Sequence, residues 1–308
     1  MMVRLSLKPY ILLGALLMLW SALPDCLQAG AIRFEHLFSI YADSLGARLK
    51  YPQGVACGSD NRIIVADTGN GRLVRYTFTE DATKPQSEVF KLAQLPYPQK
   101  IRIHPKGDIY VLDGKLRQIA RLGAQGKFIS YVEPAQSLQA SSPLVRSFDI
   151  DVNGNLYLLD LSSKSVIVTD ALGQYIRSIR FPKEYGFFSD VAVDQAGNVL
   201  LVDSINAMLY SAGGGSAEFA PMSARLKEYM RFPTGLVVEP KGRIFVVDRN
   251  GSKIIILASN GVYVDRLSAM GWKEGLLNYP FQMCLNGQNQ VIVADTNNHR
   301  IQFFEELK

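Results

Sequence analysis

Short apolar segments recur along the chain in a constant order. Six times, an apolar strand is followed by a tight turn and a second apolar strand that ends in Asp. These strands end at Asp67, Asp113, Asp160, Asp203, Asp248 and Asp295, and successive residue numbers differ by 46, 47, 43, 45 and 47. Gly or Asn stands six residues before each Asp, where a tight hairpin turn needs a positive φ. Each repeat therefore begins with a β-hairpin that is too small to bury its own faces.

Two further apolar segments follow the hairpins. Third strands are predicted to start near Leu73, Gln118, Ser165, Ala207, Lys253 and Ile301. Fourth strands follow in the first five repeats, starting near Glu88, Phe128, Tyr175, Ala217 and Tyr263. Four antiparallel strands repeated about every 45 residues are typical of a propeller blade.

The sixth repeat has no fourth strand of its own, because the chain stops at Lys308. At the other end, the segment from Phe34 to Ile40 reads as a fourth strand without the first three. An N-terminal strand that completes the last blade would close the ring and remove an open sheet edge. The pattern thus predicts an all-β fold, a six-bladed β-propeller of four-stranded antiparallel blades closed by this strand.

Three segments carry the motif of a known repeat. The segments from Tyr51 to Leu73 and from Val293 to Gln302 resemble the NHL repeat, the second containing Asn298-His299-Arg300 of that signature. Phe232 to Asp248 matches its opening half, and the middle repeats are degenerate. The resemblance runs from about Arg33 onward and implies the propeller fold. It implies no single function, because this fold serves as a protein-binding platform, a nucleic-acid-binding surface or an enzyme.

The start of the chain differs from the repeats. Arg4 and Lys8 precede an apolar run from Ile11 to Leu23, and the small residues Ala29 to Ala31 follow. This order is typical of a secretory signal peptide, and the run is shorter than the about 20 residues of a membrane span. We expect residues 1–31 to be a signal peptide and residues 32–308 to form one propeller.

This organisation predicts an exported bacterial protein, periplasmic or extracellular, with no transmembrane segment after cleavage. An uncleaved signal anchor is the alternative. Lipidation at Cys26 is disfavoured, because Asp25 stands where lipoprotein signals place a small residue.

The composition, 48% hydrophobic and 20% charged, suits a packed domain, and the formal net charge is +5. The basic residues form no dense stripe, whereas nucleic-acid binding needs clustered charge that neutralises phosphates. We therefore exclude a nucleic-acid partner. We expect a monomer without a cofactor, and a partner that is a protein or an envelope component.

Six-bladed relatives raise the question of a metal site. The resemblance extends to an amidating lyase that holds zinc with histidines of different blades, and to lactonases that bind calcium at the channel. Here His36, His104 and His299 occupy non-equivalent positions in their repeats, although zinc ligands must converge on one point. Of the residues 13 and 14 before each Asp, which we expect at the channel mouth, Asp190 alone is a carboxylate. We predict no metal and no catalytic residue.

The same mouth positions form the best candidate binding surface, because ligands usually dock on the loops and strand ends around such channels. The polar candidates are Gln53, Gln99, Lys100, Arg146, Asp190 and Gln282. The alternative is a solvated mouth in which Lys100 or Arg146 pairs with Asp190. Our main hypothesis is an exported, non-enzymatic binding or scaffold propeller that presents this face to its partner. A lyase or hydrolase acting at the mouth, like the amidating lyase or the lactonases, is the alternative.

The six strand-ending aspartates are predicted to be structural, accepting hydrogen bonds from the turns that follow them. Asp67 with Arg72 and Asp295 with Arg300 are candidate local pairs.

Two cysteines lie in the first strands of blades 1 and 6, which ring closure makes neighbours. Cys57 and Cys284 stand ten and eleven residues before the Asp of their repeats. This opposite parity places them on opposite faces of their strands, as facing residues of adjacent blades require. A disulfide in an exported protein is one hypothesis, and two buried free thiols are the other.

Overall fold

The structure, a computed structural model, describes residues 32–58, 61–79, 85–133 and 143–307. The signal peptide expected over residues 1–31 lies outside this part. The described residues form six antiparallel sheets of four strands each, which confirms the predicted six-bladed propeller. Strand β1 spans Phe34–Ile40.

The remaining strands follow blade by blade. Blade 1 contains β2 (Gly54–Cys57), β3 (Arg62–Asp67), β4 (Arg72–Thr77) and β5 (Gln86–Phe90); blade 2 contains β6 (Pro98–Ile103), β7 (Ile109–Asp113), β8 (Ile119–Leu122) and β9 (Phe128–Tyr131). Blade 3 contains β10 (Val145–Ile150), β11 (Leu156–Asp160), β12 (Ser165–Thr169) and β13 (Tyr175–Arg180); blade 4 contains β14 (Phe188–Val193), β15 (Val199–Asp203), β16 (Met208–Ala212) and β17 (Ala220–Pro221). Blade 5 contains β18 (Pro233–Val238), β19 (Ile244–Asp248), β20 (Lys253–Leu257) and β21 (Tyr263–Leu267); blade 6 contains β22 (Met283–Leu285), β23 (Val291–Asp295) and β24 (Arg300–Glu306), completed by β1.

The core lies between the blades. Six apolar clusters are each built from two adjacent blades. In β3, Ile63 and Val65 belong to the cluster shared with blade 6, whereas Ile64 and Ala66 belong to the cluster shared with blade 2. Successive strand residues point to opposite faces, so a strand packed on both sides is apolar throughout. This explains why the second strand of every repeat reads as a continuous apolar run.

The ring is closed by strand pairing between the two ends of the described chain. Strand β1 pairs antiparallel with β24, with Phe34 opposite Glu306 and Ile40 opposite Ile301. This is the closure that the sequence predicted. Cys57 of β2 and Cys284 of β22 form a disulfide with an S–S distance of 2.09 Å, which joins blades 1 and 6 a second time.

The antiparallel order gives the ring two distinct faces. The loops between second and third strands, and the connections from one blade to the next, share one end of the strands; we call this end the mouth face. The turns between first and second strands and between third and fourth strands share the other end, the opposite face. Inner strands of adjacent blades contact one another around the centre.

Blade 4 differs from its predicted boundaries. The segment starting at Ala217 was expected to be its fourth strand, but β17 spans only Ala220–Pro221. Arg180 of blade 3 donates its N–H to the Ala217 carbonyl at 2.8 Å and accepts the N–H of Phe219 at 3.2 Å. The segment thus bonds first to the neighbouring blade, and Pro221 has no N–H with which to extend the ladder.

No helix in the described part of the chain is long and apolar enough to cross a membrane.

Candidate functional site

An ion pair closes the centre of the channel at the mouth face. Lys100 of β6 donates through Nζ to Asp190 of β14, and also to Ser147 Oγ of β10 at 2.7 Å. Ser147 Oγ donates to the same Asp190 oxygen. The other carboxylate oxygen accepts the Leu236 N–H at 2.7 Å. One lysine, one serine and one aspartate therefore link three consecutive blades.

Lys100 and Asp190 are both buried, with 6% and 4% of their surfaces exposed. Burial lowers the pKa of Lys100 to about 8, although the charge of Asp190 acts in the opposite direction. The space around the pair is about 20 Å³, roughly the room that one water molecule needs. The channel is thus filled at this level, and a ligand on the mouth face would rest on this pair.

Gln282 connects blade 6 to blade 2 across the inner strand of blade 1. Its side-chain Nε2 donates to the Ile101 carbonyl at 2.8 Å, and its Oε1 accepts the Ile101 N–H at 3.2 Å. Gly54 lies between them: a Cβ there would be 2.8 Å from the Gln99 carbonyl and 3.2 Å from Gln282 Oε1. Gly54 therefore provides the close approach that this bridge requires.

Gln53 and Gln99 meet at the same mouth. Gln99 Nε2 donates to Gln53 Oε1 at 2.9 Å, and Gln53 Nε2 donates to the Tyr97 hydroxyl at 3.2 Å. Of the six candidates from the sequence, Gln53, Gln99, Lys100, Asp190 and Gln282 are thus bonded to other residues of the mouth. Their polar groups hold the blades in register around the channel.

Arg146 is the exception. Its half-buried guanidinium lies 5.8 Å from the Phe187 ring centroid and has no ion pair or hydrogen bond in the described part of the chain. Burial lowers the pKa of Arg146; Asp190 opposes this effect, whereas the positive charges of Arg117 and Arg249 add to it. Arg146 is therefore a cation close to two other cations and free to meet an anion.

Arg117 and Arg249 were missed in the sequence, because they follow the second strands instead of starting the first. Arg249 Cζ lies 5.5 Å from the Phe281 ring centroid and 5.9 Å from that of Tyr279. Arg117 is exposed, in the loop between β7 and β8. The sequence could have indicated Arg249, because it is the charged residue among those that directly follow each strand-ending Asp. The equivalent residues are uncharged: Thr68, Gly114, Leu161, Ser204 and Thr296.

Large apolar side chains are exposed on the mouth face as well. Trp272 is 79% exposed and Ile205 57% exposed, and Leu116, Leu144 and Tyr279 are also exposed. All five lie in loops between second and third strands or in connections between blades. The mouth face therefore combines exposed apolar and aromatic surface with arginines.

The six strand-ending aspartates are buried and anchor the mouth-face loops. Asp203 accepts the N–H groups of Gly186 and Phe187 at 2.6 and 3.0 Å, and those of Ile205 and Asn206 at 3.0 Å each. Burial alone would raise the pKa of Asp203, but these hydrogen bonds outweigh it and hold the pKa below its ordinary value.

Two of these aspartates also pair with arginine. Arg72 Nε lies 2.6 Å from Asp67 Oδ2, and Arg300 Nε lies 2.8 Å from Asp295 Oδ2. These are the two local pairs that the spacing indicated. The carboxylates are engaged in their own blades and do not form a ring around the channel.

The histidines lie in three different environments. His36 of β1 is 3.0 Å from Ser39 Oγ, and His104 follows β6 at the opposite face. His299 accepts the Tyr51 N–H through Nδ1 at 3.0 Å on the mouth face. Across the described ranges, no group of three or more His, Cys, Asp or Glu side chains is placed to hold a metal ion.

The far end of the channel is lined differently. Arg102 pairs with Asp149 there, and Asp149 Oδ2 also accepts the Val193 N–H at 2.9 Å. The surrounding wall is largely apolar and includes the disulfide of Cys57 and Cys284. Charged groups at this end are thus paired within the protein, in contrast to Arg146 at the mouth.

Comparison with known proteins identifies the repeat. The model of the NHL repeat matches residues 49–76 and 277–304, which confirms the resemblance at both ends of the ring. A stretch of 45 residues is 44% identical to the protein brain tumor of Drosophila melanogaster; it covers 15% of this chain and 4% of that protein. The chain thus matches only a small part of the length of this relative.

Solved structures share the fold at low identity. Virginiamycin B lyase from Staphylococcus aureus is 11% identical with a TM-score of 0.62, over 90% of this chain and 100% of the lyase. A gluconolactonase from Xanthomonas campestris is 12% identical with a TM-score of 0.65, over 90% of this chain and 91% of the other. A chain of a nidogen–laminin complex is 14% identical with a TM-score of 0.57, over 71% of this chain and 80% of the other.

These neighbours include two enzymes and a member of a protein complex, so their likeness establishes architecture and not activity. The chain therefore carries NHL repeats at residues 49–76 and 277–304, and its described residues fold as a six-bladed β-propeller that β1 closes.

Proposed function

We propose that the protein is a non-enzymatic binding module that docks a protein partner, or another envelope component, on its mouth face. The observation that carries this proposal is the composition of that face. Exposed Trp272 and Ile205 share it with the unpaired guanidinium of Arg146. Trp, Tyr and Arg are the residues enriched among the energetic centres of protein interfaces.

The closed channel supports the same proposal. The pair of Lys100 and Asp190 fills the centre directly below the mouth and leaves about 20 Å³ there. The larger hollow on this face, about 640 Å³ and lined by Gly69, Pro96 and Tyr97, is wide and open to solvent. Enzyme and cofactor sites are commonly clefts of about 300–1,000 Å³, whereas a shallow surface suits a macromolecular partner. NHL propellers often mediate protein interactions, which agrees with this use of the face.

A partner-capture experiment tests the proposal. The variant Trp272→Ala/Ile205→Ser alters the mouth face, and Val152→Ser/Leu172→Ser alters the opposite face, where both side chains are also exposed. We expect a partner captured by the wild type and by the opposite-face variant, and lost with the mouth-face variant. Equal capture by all three proteins would place the partner elsewhere and reject the proposal.

A lyase or hydrolase acting at the channel mouth is the second candidate, because a virginiamycin B lyase and a gluconolactonase share the fold. Asp190, the carboxylate at the centre of the mouth, is already bonded to Lys100, Ser147 and Leu236. Purified protein assayed with gluconolactone and with virginiamycin B, with added Mg²⁺, Ca²⁺ or Zn²⁺, tests this candidate. Turnover that Asp190→Asn abolishes would favour the enzyme over the binding module.

We also propose that the protein is exported, because charged, apolar and small residues succeed one another within residues 1–31 as they do in a signal peptide. N-terminal sequencing of the protein isolated from its source cells tests this proposal. A mature chain beginning near residue 32 is expected, and a chain that retains Arg4 and Lys8 would contradict cleavage.

A further inference from the structure

Three arginines concentrate positive charge at the channel mouth. In the described residues, the guanidinium groups of Arg117, Arg146 and Arg249 have no ion pair. At the far end of the channel, by contrast, Arg102 is paired with Asp149. The carboxylate closest to the centre, Asp190, is committed to Lys100. The mouth thus carries three arginines that form no ion pair, and Asp190 offsets their charge only in part.

Buried polar atoms at this mouth are also left without partners. Thr234 is 7% exposed and lines the space above the pair of Lys100 and Asp190, yet its hydroxyl has no partner in the described chain. Arg249 Nε is likewise buried and unbonded. A buried donor left without an acceptor destabilises the folded protein. A ligand that accepts hydrogen bonds at this point would remove that cost.

The side chains of Arg146 and Arg249, and the backbone of Arg117, are held in place before any ligand arrives. Arg249 lies over Phe281 and Tyr279, and Arg146 lies over Phe187. Arg117 stands in a tight turn with φ of 59°, where its N–H donates to the Asp113 carbonyl at 2.9 Å. Because these groups are already ordered in the free protein, less conformational entropy is lost when a ligand binds.

We propose that the mouth recognises a carboxylate side chain, Asp or Glu, that the partner protein inserts between Arg117, Arg146 and Arg249. This inference rests on the proposed function and specifies the chemistry of that same face. A guanidinium matches a carboxylate with two parallel N–H···O bonds. The filled channel limits insertion to a short group, and the exposed Ile205 and Trp272 of the same face suit a peptide chain.

A displayed random peptide library, selected on the immobilised full-length protein, identifies the probe. Peptides selected by the wild type are expected to share an Asp or Glu. One selected peptide is then synthesised in two forms, with that acid and with the matching amide, Asn or Gln. Fluorescence polarisation gives the Kd of both forms for the wild type and each variant.

The acidic peptide is expected to bind the wild type about tenfold or more tightly than its amide form. Arg146→Ala and Arg249→Ala should each remove most of that preference, and Arg117→Ala should weaken it without affecting folding, since Arg117 is exposed. Arg180→Ala, which removes an exposed arginine from the outer strand β13, is the matched control and should leave both constants unchanged. Binding should also weaken as salt increases.

The outcomes separate this inference from the proposed function. Peptides that lose binding with Trp272→Ala/Ile205→Ser but need no acid would overturn carboxylate recognition and leave the mouth face as the docking surface. Peptides unaffected by every mouth-face variant, or no selected peptides at all, would reject both.

Discussion

Lys100 and Asp190 meet across the channel mouth from blades 2 and 4, and Ser147 of the intervening blade bonds to both. The buried charge of Lys100 is thus neutralised by the buried charge of Asp190. The ion pair joins blades that are not neighbours in the ring. Its stability therefore depends on both partners being present.

Replacing the lysine isolates the carboxylate. In Lys100→Met, Asp190 stays buried without its cation, and we expect the free energy of unfolding to fall by about 3–5 kcal/mol. Urea denaturation followed by circular dichroism measures the change.

An exposed ion pair provides the comparison. Arg180 and Glu218 pair on the surface, where their side chains are 70% and 60% exposed, and Arg180→Ala should cost less than about 1 kcal/mol. If Lys100→Met cost no more than Arg180→Ala, the central pair would not stabilise the ring.

The disulfide joins the two blades at which the ring closes. A bond between Cys57 and Cys284, which are 227 residues apart, restricts the unfolded chain over a long loop. Reduction should lower stability by about 2–5 kcal/mol. Thermal unfolding with and without reductant measures this effect, and Cys57→Ala/Cys284→Ala should show no response to reductant. A non-reduced digest that lacks the peptide linked through these two cysteines would contradict the bond.

The hydrogen bonds of Asp203 predict a pH dependence. Its folded pKa lies below the ordinary value of 3.8, so its stabilising contribution is complete above pH about 4 and is lost as pH falls through the folded pKa. At pH 7, Asp203→Asn should cost about 1–3 kcal/mol. The difference between wild type and variant should shrink below pH 4. Denaturation at pH 7, 5 and 3 tests the direction, and a widening gap at low pH would refute it.

Gly54 allows the bridge between Gln282 and Ile101. Gly54→Ala would place a Cβ 2.8 Å from a carbonyl oxygen and 2.9 Å from Ala66 Cβ, and we expect a loss of about 1–3 kcal/mol. Gly287→Ala is the control, because a Cβ there meets nothing within 4 Å. Equal melting temperatures for the two variants would show that the inner strands can move apart without a loss of stability.

The fold was predictable because the repeat is encoded locally. Each blade carries its own apolar strands, turn glycine or asparagine and terminal Asp, so the period alone indicates six equivalent units. The fourth strand of blade 4 was placed incorrectly because Ala217 and Phe219 bond to Arg180 of another blade. Such pairing between blades leaves no local pattern.

The candidate site was predictable only in part. Lys100, Arg146 and Asp190 could be found from the sequence, because each lies 13 or 14 residues before the Asp of its repeat. Equivalent positions of different repeats lie at the same level along the channel. Which cation forms the ion pair with Asp190 depends on Ser147 and on distances across the channel, and the sequence spacing of the residues does not show these. Arg249 comes from a different loop and reaches the mouth by lying over Phe281.

The pairing of β1 with β24 also fixes the order in which the molecule can be completed. β1 precedes β2 to β23 along the chain, whereas its partner β24, Arg300–Glu306, follows them. During synthesis the edge of β1 therefore stays unpaired until β24 has been made, and unpaired edges are prone to associate with other chains. All the strands between these two must be made before this edge is protected.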